Sequence, residues 1–368
     1  MLPRDVLLAL HLTGVVGPRR LAAARAAFRD LESIFGSTAE RLASLPDWNP
    51  GCAAKVLALE DPARDVENEM ERARQAGVRV LVDGDPDFPS VFKDLYDPPF
   101  VLWMRGTYLQ ADEKALAVVG CRKPSVYGLQ VSNRLSEALA RGGYTIVSGL
   151  ARGIDSAAHR GALSVKGGRT LAFMGSGFLQ IYPPENVELA DRIAGSGAVF
   201  SEYPLDSKPL ALHFPQRNRL ISGAAKGVLV VEAEEDSGSL ITVDHALEQG
   251  RTVFAVPGPI HQEQSKGTHA LIREGAKLVM DANDVFRELG DPAASAVVRA
   301  RKSPASFRVA DLTEEESLLM DNLSFEPMHL DALARETGMP ARRLSELLLV
   351  LEMKGCVSQA PGHCYFRL

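Results

Sequence analysis

Between residues 115 and 280, short and nearly continuous apolar runs alternate with helical stretches, which restricts the chain to a parallel sheet covered by helices on both faces. The pattern predicts strands over Ala115–Val119, Tyr144–Val147, Arg169–Met174, Ala198–Glu202, Val228–Ala233 and Thr252–Val256, with a last one over Lys277–Met280. Sheets of this kind bind ligands in the crevice beyond the carboxyl ends of their strands. Any chemistry is therefore sought in the loops that leave those ends.

The rest of the 368-residue chain divides around this region. Residues 1–80 read as a helical unit rich in Ala, Leu and Arg, and residues 85–290 as the α/β unit. Residues 291–310 read as a polar, basic and mobile linker. Residues 311–368 read as a small third unit: a helix-turn-helix over Leu330–Gly338 and Pro340–Gly355, then a hairpin turning at Pro361-Gly362. No apolar run approaches the ~20 residues that a membrane-spanning helix needs. Met1–Leu12, with Arg4 beside Asp5, reads as a first helix and not as a signal peptide. Cys52, Cys121, Cys356 and Cys364 are scattered without a zinc spacing, which points to reduced thiols and a cytoplasmic protein with no metal. A net charge of −6 does not exclude a nucleic acid, because phosphate responds to local potential and not to the total.

Four strand-end loops share one chemistry. The first strand ends in Gly120-Cys121-Arg122 and reaches a helix through Ser125. Glycine allows close backbone approach to an anion, a helix amino-terminus offers N–H groups, and Arg122 adds a forked donor. The second ends in Ser148-Gly149-Leu150-Ala151-Arg152, ahead of Asp155 as an N-cap and His159 as a buried partner. The fourth leads to Phe214-Pro215-Gln216-Arg217-Asn218-Arg219, an aromatic beside two arginines and an amide, suited to stacking a base and holding its phosphates. The fifth is followed by Ser237-Gly238-Ser239, hydroxyls at another helix start. Each loop taken alone also reads as an ordinary turn or helix cap. Their recurrence along one sheet edge favours a shared anion site.

The segments AVVGCRKPSVYG (117–128), SGLARGIDSAAH (148–159), SEYP (201–204), FPQRNRLISG (214–223), EDSGSLIT (235–242) and FAVPG (254–258) closely resemble the DprA (Smf) family of DNA-processing proteins. DFPSVFKDLYDPPFVLWMRG (87–106) is similar too. The resemblance implies a Rossmann-like, mostly parallel sheet flanked by helices, with a small helical amino-terminal domain of helix-hairpin-helix or sterile-alpha-motif type and a carboxyl-terminal winged helix. It implies a homodimer that binds single-stranded DNA, protects incoming strands in natural transformation and helps load the recombinase RecA. The family's GxR arginine falls on Arg122 and its pocket aromatic on Phe214. Many members carry a lysine three residues before that aromatic, where this chain has Ala211. Arg217 or Arg219 would have to supply the second phosphate contact in its place.

The expected single-strand site thus comprises Gly120, Arg122, Ser125, Ser148, Gly149, Arg152, Phe214, Arg217, Asn218, Arg219, Ser237, Gly238 and Ser239. There is no GxxxxGK[ST] loop, HExxH or GxSxG, and no carboxylate pair stands out as acid and base, so no catalytic residue or cofactor is expected. The alternative is a nucleotide-cleaving phosphoribohydrolase of a related Rossmann-like group, which would need PGGxGT where this chain has DSGSLIT (236–242). A regulator reading duplex DNA through the third unit is disfavoured by five Lys/Arg against ten Asp/Glu over residues 311–368.

Overall fold

The computed structural model describes residues 1–292, 294, 312–324, 327–354, 356–360 and 362–367. Its strands are β1 Arg79–Val82, β2 Val101–Gly106, β3 Ala115–Val119, β4 Thr145–Ser148, β5 Thr170–Met174, β6 Ala198–Ser201, β7 Gly227–Val230, β8 Thr252–Ala255 and β9 Lys277–Leu278. They form one sheet in the order β1-β2-β6-β5-β4-β3-β7-β8-β9. From β6 across to β9 every neighbour is parallel, while β2 runs antiparallel to both β1 and β6. All seven strands expected from the apolar pattern are present. β1 and β2 were not expected, and β1 crosses the boundary drawn at residue 80.

The strand order reverses at β3. β4, β5 and β6 follow on one side of it, and β7, β8 and β9 lie on the other. Such a reversal opens a crevice at the carboxyl ends of the two central strands. The helices that cover the sheet are α6 Val126–Arg141, α7 Ile154–Leu163, α8 Val187–Ser196, α9 His213–Gly223, α10 Leu240–Glu248, α11 Glu263–Arg273 and α12 Ala282–Glu288. β3 is buried at all five positions, as a strand covered on both faces must be.

Five helices precede the sheet: α1 Pro3–Leu12, α2 Pro18–Ala27, α3 Ala39–Ala43, α4 Pro50–Leu57 and α5 Pro62–Gln75. Proline opens four of them, where its missing N–H costs nothing. Their apolar faces do not close on themselves. Val6, Leu10, Ile34, Val56 and Val66 share one continuous core with Val80, Val101, Trp103, Leu189 and Ile193 of the sheet and α8.

The third unit contains α13 Glu314–Asn322, α14 Leu330–Thr337 and α15 Ala341–Met353, with β10 Met328–His329, β11 Val357–Ala360 and β12 Cys364–Arg367 paired as β10-β12-β11. This is a winged helix with its own core of Leu319, Leu333, Leu344, Leu348, Leu351 and Val357. The linker expected over 291–310 lies outside the described residues apart from 291, 292 and 294, and so does Pro361 of the expected hairpin turn. All four cysteines are free thiols. No helix among the described residues is long and apolar enough to cross a membrane.

One buried group makes the stability of the sheet depend on pH. His159 of α7 is fully buried, with Nδ1 2.7 Å from the Thr170 hydroxyl. That hydroxyl donates its own proton to the Ile146 carbonyl at 2.7 Å, so Nδ1 must be the donor. Burial, reinforced by Arg217, pushes the His159 pKa down to about 3. Below pH ~6.5 the unfolded chain therefore takes up a proton that the folded chain refuses. Stability is expected to fall as pH drops from 6.5, and His159→Gln to flatten that fall by up to about 1.4 kcal/mol per pH unit. Urea titrations at pH 7, 6 and 5 measure it; equal slopes in both proteins would remove His159 from the effect.

Candidate nucleic-acid interface

The crevice at the strand-order reversal is a cleft of about 680 Å³. Its first wall is the loop after β3. A Cβ on Gly120 would lie 2.7 Å from the Glu232 carbonyl and 2.7 Å from Cγ1 of Ile154, so only glycine passes between the two elements. Beyond it Arg122 and Lys123 line the cleft and are exposed. The second wall is the start of α9, where Phe214 is half-buried. The Arg122 guanidinium stands 5.2 Å above the Phe214 ring, a geometry that attracts cation to π-face and keeps the cation beside the aromatic surface.

Next to Phe214 lies Tyr182, its ring centroid 5.8 Å away and tilted by 56°. Arg152 covers Tyr182 at 5.4 Å and pairs with Glu185. Tyr182 was absent from the expected site. It comes from the long connection after β5, a Pro-rich stretch (IYPPEN, 181–186) with no glycine-arginine signature. An aromatic among prolines downstream of a strand end was the available signal.

The third wall is the approach to α10. Ser237, Gly238 and Ser239 line the cleft, with the two hydroxyls 2.8 Å apart, and Asn218 donates to the Gly238 carbonyl at 3.3 Å. Glu234 and Asp236 stand exposed on this same wall. The cleft is therefore electrostatically divided, with cations on the β3 side and carboxylates on the α10 side.

Several expected ligand contacts are committed inside the protein. The start of α6 already holds an anion: Glu232 is buried, and its carboxylate accepts from the Ser125 N–H at 2.9 Å and the Ser125 hydroxyl at 2.5 Å. Its neighbour Cys121 is a buried thiol pushed up to about 12 by desolvation and the Glu232 charge. Ser148 is buried and donates to the Val118 carbonyl at 2.6 Å. The Gly149 and Ala151 N–H groups bond the buried Asp155 carboxylate at 3.1 and 3.3 Å. Burial raises the Asp155 pKa against the pull of Arg217.

The arginines proposed as substitutes for the lysine absent at Ala211 lie elsewhere. Arg217 is buried at the cleft floor, where Nη1 donates to the Gly149 carbonyl at 2.6 Å and to the Phe173 carbonyl. Burial lowers its pKa to about 10. A Cβ on Gly149 would meet that guanidinium at 2.7 Å, which accounts for the glycine. Arg219 points away from the cleft, bonding Glu202 at 2.7 Å and Asp97 at 3.4 Å. Lys208 is exposed and outside the cleft lining. The structure thus brings Gly120, Arg122, Phe214, Arg217, Asn218 and Ser237–Ser239 to one cleft. Arg152 and Gly149 join it through the crevice beside Tyr182, and Ser125, Ser148 and Arg219 stay behind the walls.

This arrangement can be compared with known proteins. The family model for DNA recombination-mediator protein A matches residues 79–290. The chain belongs to that family. A second model, the DprA winged helix domain, matches residues 303–363. The DNA processing protein DprA of Bacillus subtilis is 45% identical over 240 residues, 64% of this chain and 80% of that protein. The X-ray structure of DNA processing protein A from Streptococcus pneumoniae superposes with a TM-score of 0.67 at 35% identity, over 77% of this chain and 97% of that one. The Helicobacter pylori DNA processing protein A, whose structure addresses its single-stranded DNA binding mode, gives a TM-score of 0.53 at 29% identity over 58% of this chain and 96% of that one.

Several cations of the winged helix are paired with carboxylates. Arg343 pairs with Glu315 and Glu346, Arg342 with Glu346, and Lys354 with the buried Glu316.

Proposed function

We propose that the chain binds single-stranded DNA in the cleft at the strand-order reversal and serves DNA processing in recombination and natural transformation, without turning its ligand over. The Arg122–Phe214 pair carries this reading: one exposed fork for a phosphate stands beside one ring for a base, at the mouth of a crevice. Phosphates track the Arg122–Lys123 wall because Glu234 and Asp236 repel them from the other. A duplex hides its base faces and cannot reach Phe214. The single-stranded DNA binding mode studied in the Helicobacter pylori relative supports the same ligand class. The carboxylates of Asp155 and Glu232 are spent on backbone and hydroxyl donors, which fits binding without acid–base chemistry.

The reading extends to assembly. The segment from Ile260 to Met280 contains the edge strand β9 and exposes Ile260, Leu278 and Met280, as a homodimer contact would require. Two clefts on one strand would raise avidity, and strands held in this way would be handed to the recombinase RecA.

Fluorescence anisotropy with single- and double-stranded oligonucleotides of equal length, from 50 to 200 mM salt, tests the core of the proposal. Arg122→Ala is expected to weaken single-strand binding and lower the salt slope by about one. Phe214→Ala is expected to cost about tenfold while leaving the slope intact. Equal affinity for duplex, or full affinity in both folded variants, would overturn the assignment.

A further inference from the structure

The Arg122–Phe214 pair has a near copy beside it. Tyr182 carries Arg152 over its ring at 5.4 Å, as Phe214 carries Arg122 at 5.2 Å. The two rings touch, and a narrow crevice runs among Arg122, Arg152, Tyr182 and Phe214. We propose that Tyr182 and Arg152 form a second nucleotide subsite, contiguous with the first, and that Glu185 occupies its phosphate position until DNA arrives. The proposal rests on the single-strand reading above and adds the path of the strand: from Phe214 toward Tyr182, away from Glu234 and Asp236.

The physical case starts from what holds Arg152. Its Nε and Nη2 face the Glu185 carboxylate, Nη2 at 3.0 Å, and its Nη1 reaches the Tyr182 hydroxyl at 3.2 Å. This forked pairing is the geometry in which guanidinium also binds phosphate. Both side chains of the pair are about half exposed, 45% for Arg152 and 52% for Glu185, and an exposed ion pair contributes little to folding. A phosphate can therefore replace Glu185 without a structural penalty. At 5.8 Å and a 56° tilt the two rings are in contact, so no base enters between them. Each ring instead carries its own guanidinium, and moving that group sideways onto a phosphate frees the ring for a base. Two tilted rings then hold two consecutive bases at an angle, and the strand turns at this step. Arg122 differs in having no carboxylate in this role among the described residues, so the first subsite has no competing anion there and the second is self-blocked.

Self-blocking gives a signature that a structural role would not. Glu185→Gln removes the competitor while keeping the shape, and is expected to raise affinity for a short oligothymidylate several-fold, because the phosphate no longer has to displace a carboxylate from Arg152. Tyr182→Ala is expected to lose about tenfold, and Tyr182→Phe to recover most of that loss. Anisotropy on the full chain reads all three beside wild type, Arg122→Ala and Phe214→Ala. Losses in Arg122→Ala and Phe214→Ala with no change in Tyr182→Ala and Glu185→Gln would overturn the second subsite and leave the first standing. A wild-type chain that binds no single strand would overturn the functional reading itself. If Tyr182→Ala fails to fold, Glu185→Gln decides, since Glu185 is exposed; an unchanged or weakened affinity there sinks the proposal.

Discussion

Arg217→Ala is expected to lower the free energy of unfolding by about 3–5 kcal/mol, while Arg122→Ala changes it by no more than about 0.5 kcal/mol. The two arginines look alike in the sequence, each near a strand end or helix start beside glycine or proline. Their surroundings separate them. Arg217 is 4% exposed, and its guanidinium bonds the carbonyls that end β4 and β5 while offsetting the charge of the buried Asp155. Removing it leaves Asp155 without its compensating charge and two carbonyls without donors, and an unmatched buried charge costs more than the pair gains. Arg122 is exposed and rests on Phe214, so its loss reaches the ligand and not the fold. Urea denaturation of both variants beside anisotropy separates the roles. An Arg217→Ala protein of near wild-type stability that had lost single-strand affinity would return Arg217 to the ligand surface.

That contrast marks how far the sequence is legible. Six strands, β3 to β8, could be placed because buried parallel strands are apolar on both faces and leave a continuous signal. The carboxyl ends of those strands then pointed to the loops to search, and Gly120, Arg122, Phe214 and Ser237–Ser239 meet in the cleft there. The aim of each polar side chain could not be read, since hydrogen-bonding capacity does not reveal its partner. Ser125 was taken for a phosphate ligand, but its partner Glu232 lies 107 positions away. Arg219 sits two residues after Arg217 on α9, and that separation carries it to Glu202 and Asp97 on the opposite side. Tyr182 was missed for the converse reason: its loop carries no glycine-arginine signature, and the fold brings it to Phe214. β1 and β2 were missed because only three residues lie between α5 and β1 and no α-helix separates β2 from β3, so neither belongs to the strand–helix alternation.

Removing residues 1–77, which leaves all nine sheet strands in place, is expected to abolish stable folding of the remainder. Trp103, Val101 and Ile193 are fully buried, and Val80 and Leu189 are nearly so, in a core that α1 to α5 complete. Each large apolar side chain returned to water costs about 1.5–3 kcal/mol. Re-exposing a handful of them matches the ~5–15 kcal/mol that holds a typical domain together. Polar ties add to the loss. Glu69 of α5 accepts from the Trp103 indole and the Leu205 N–H, both at 3.0 Å, and His11 of α1 donates to the Glu202 carbonyl at 2.7 Å. These bonds hold the segment from Glu202 to Leu205, which runs on to Phe214, so the helical unit also fixes the aromatic wall of the cleft. Truncation after Ala310 at the other end spares this core, because the winged helix packs a core of its own. Circular dichroism melts of the two truncated chains make the comparison. A cooperative melt near the full-length temperature after loss of residues 1–77 would show that the sheet needs no helical unit, and would break the link drawn here between that unit and the cleft.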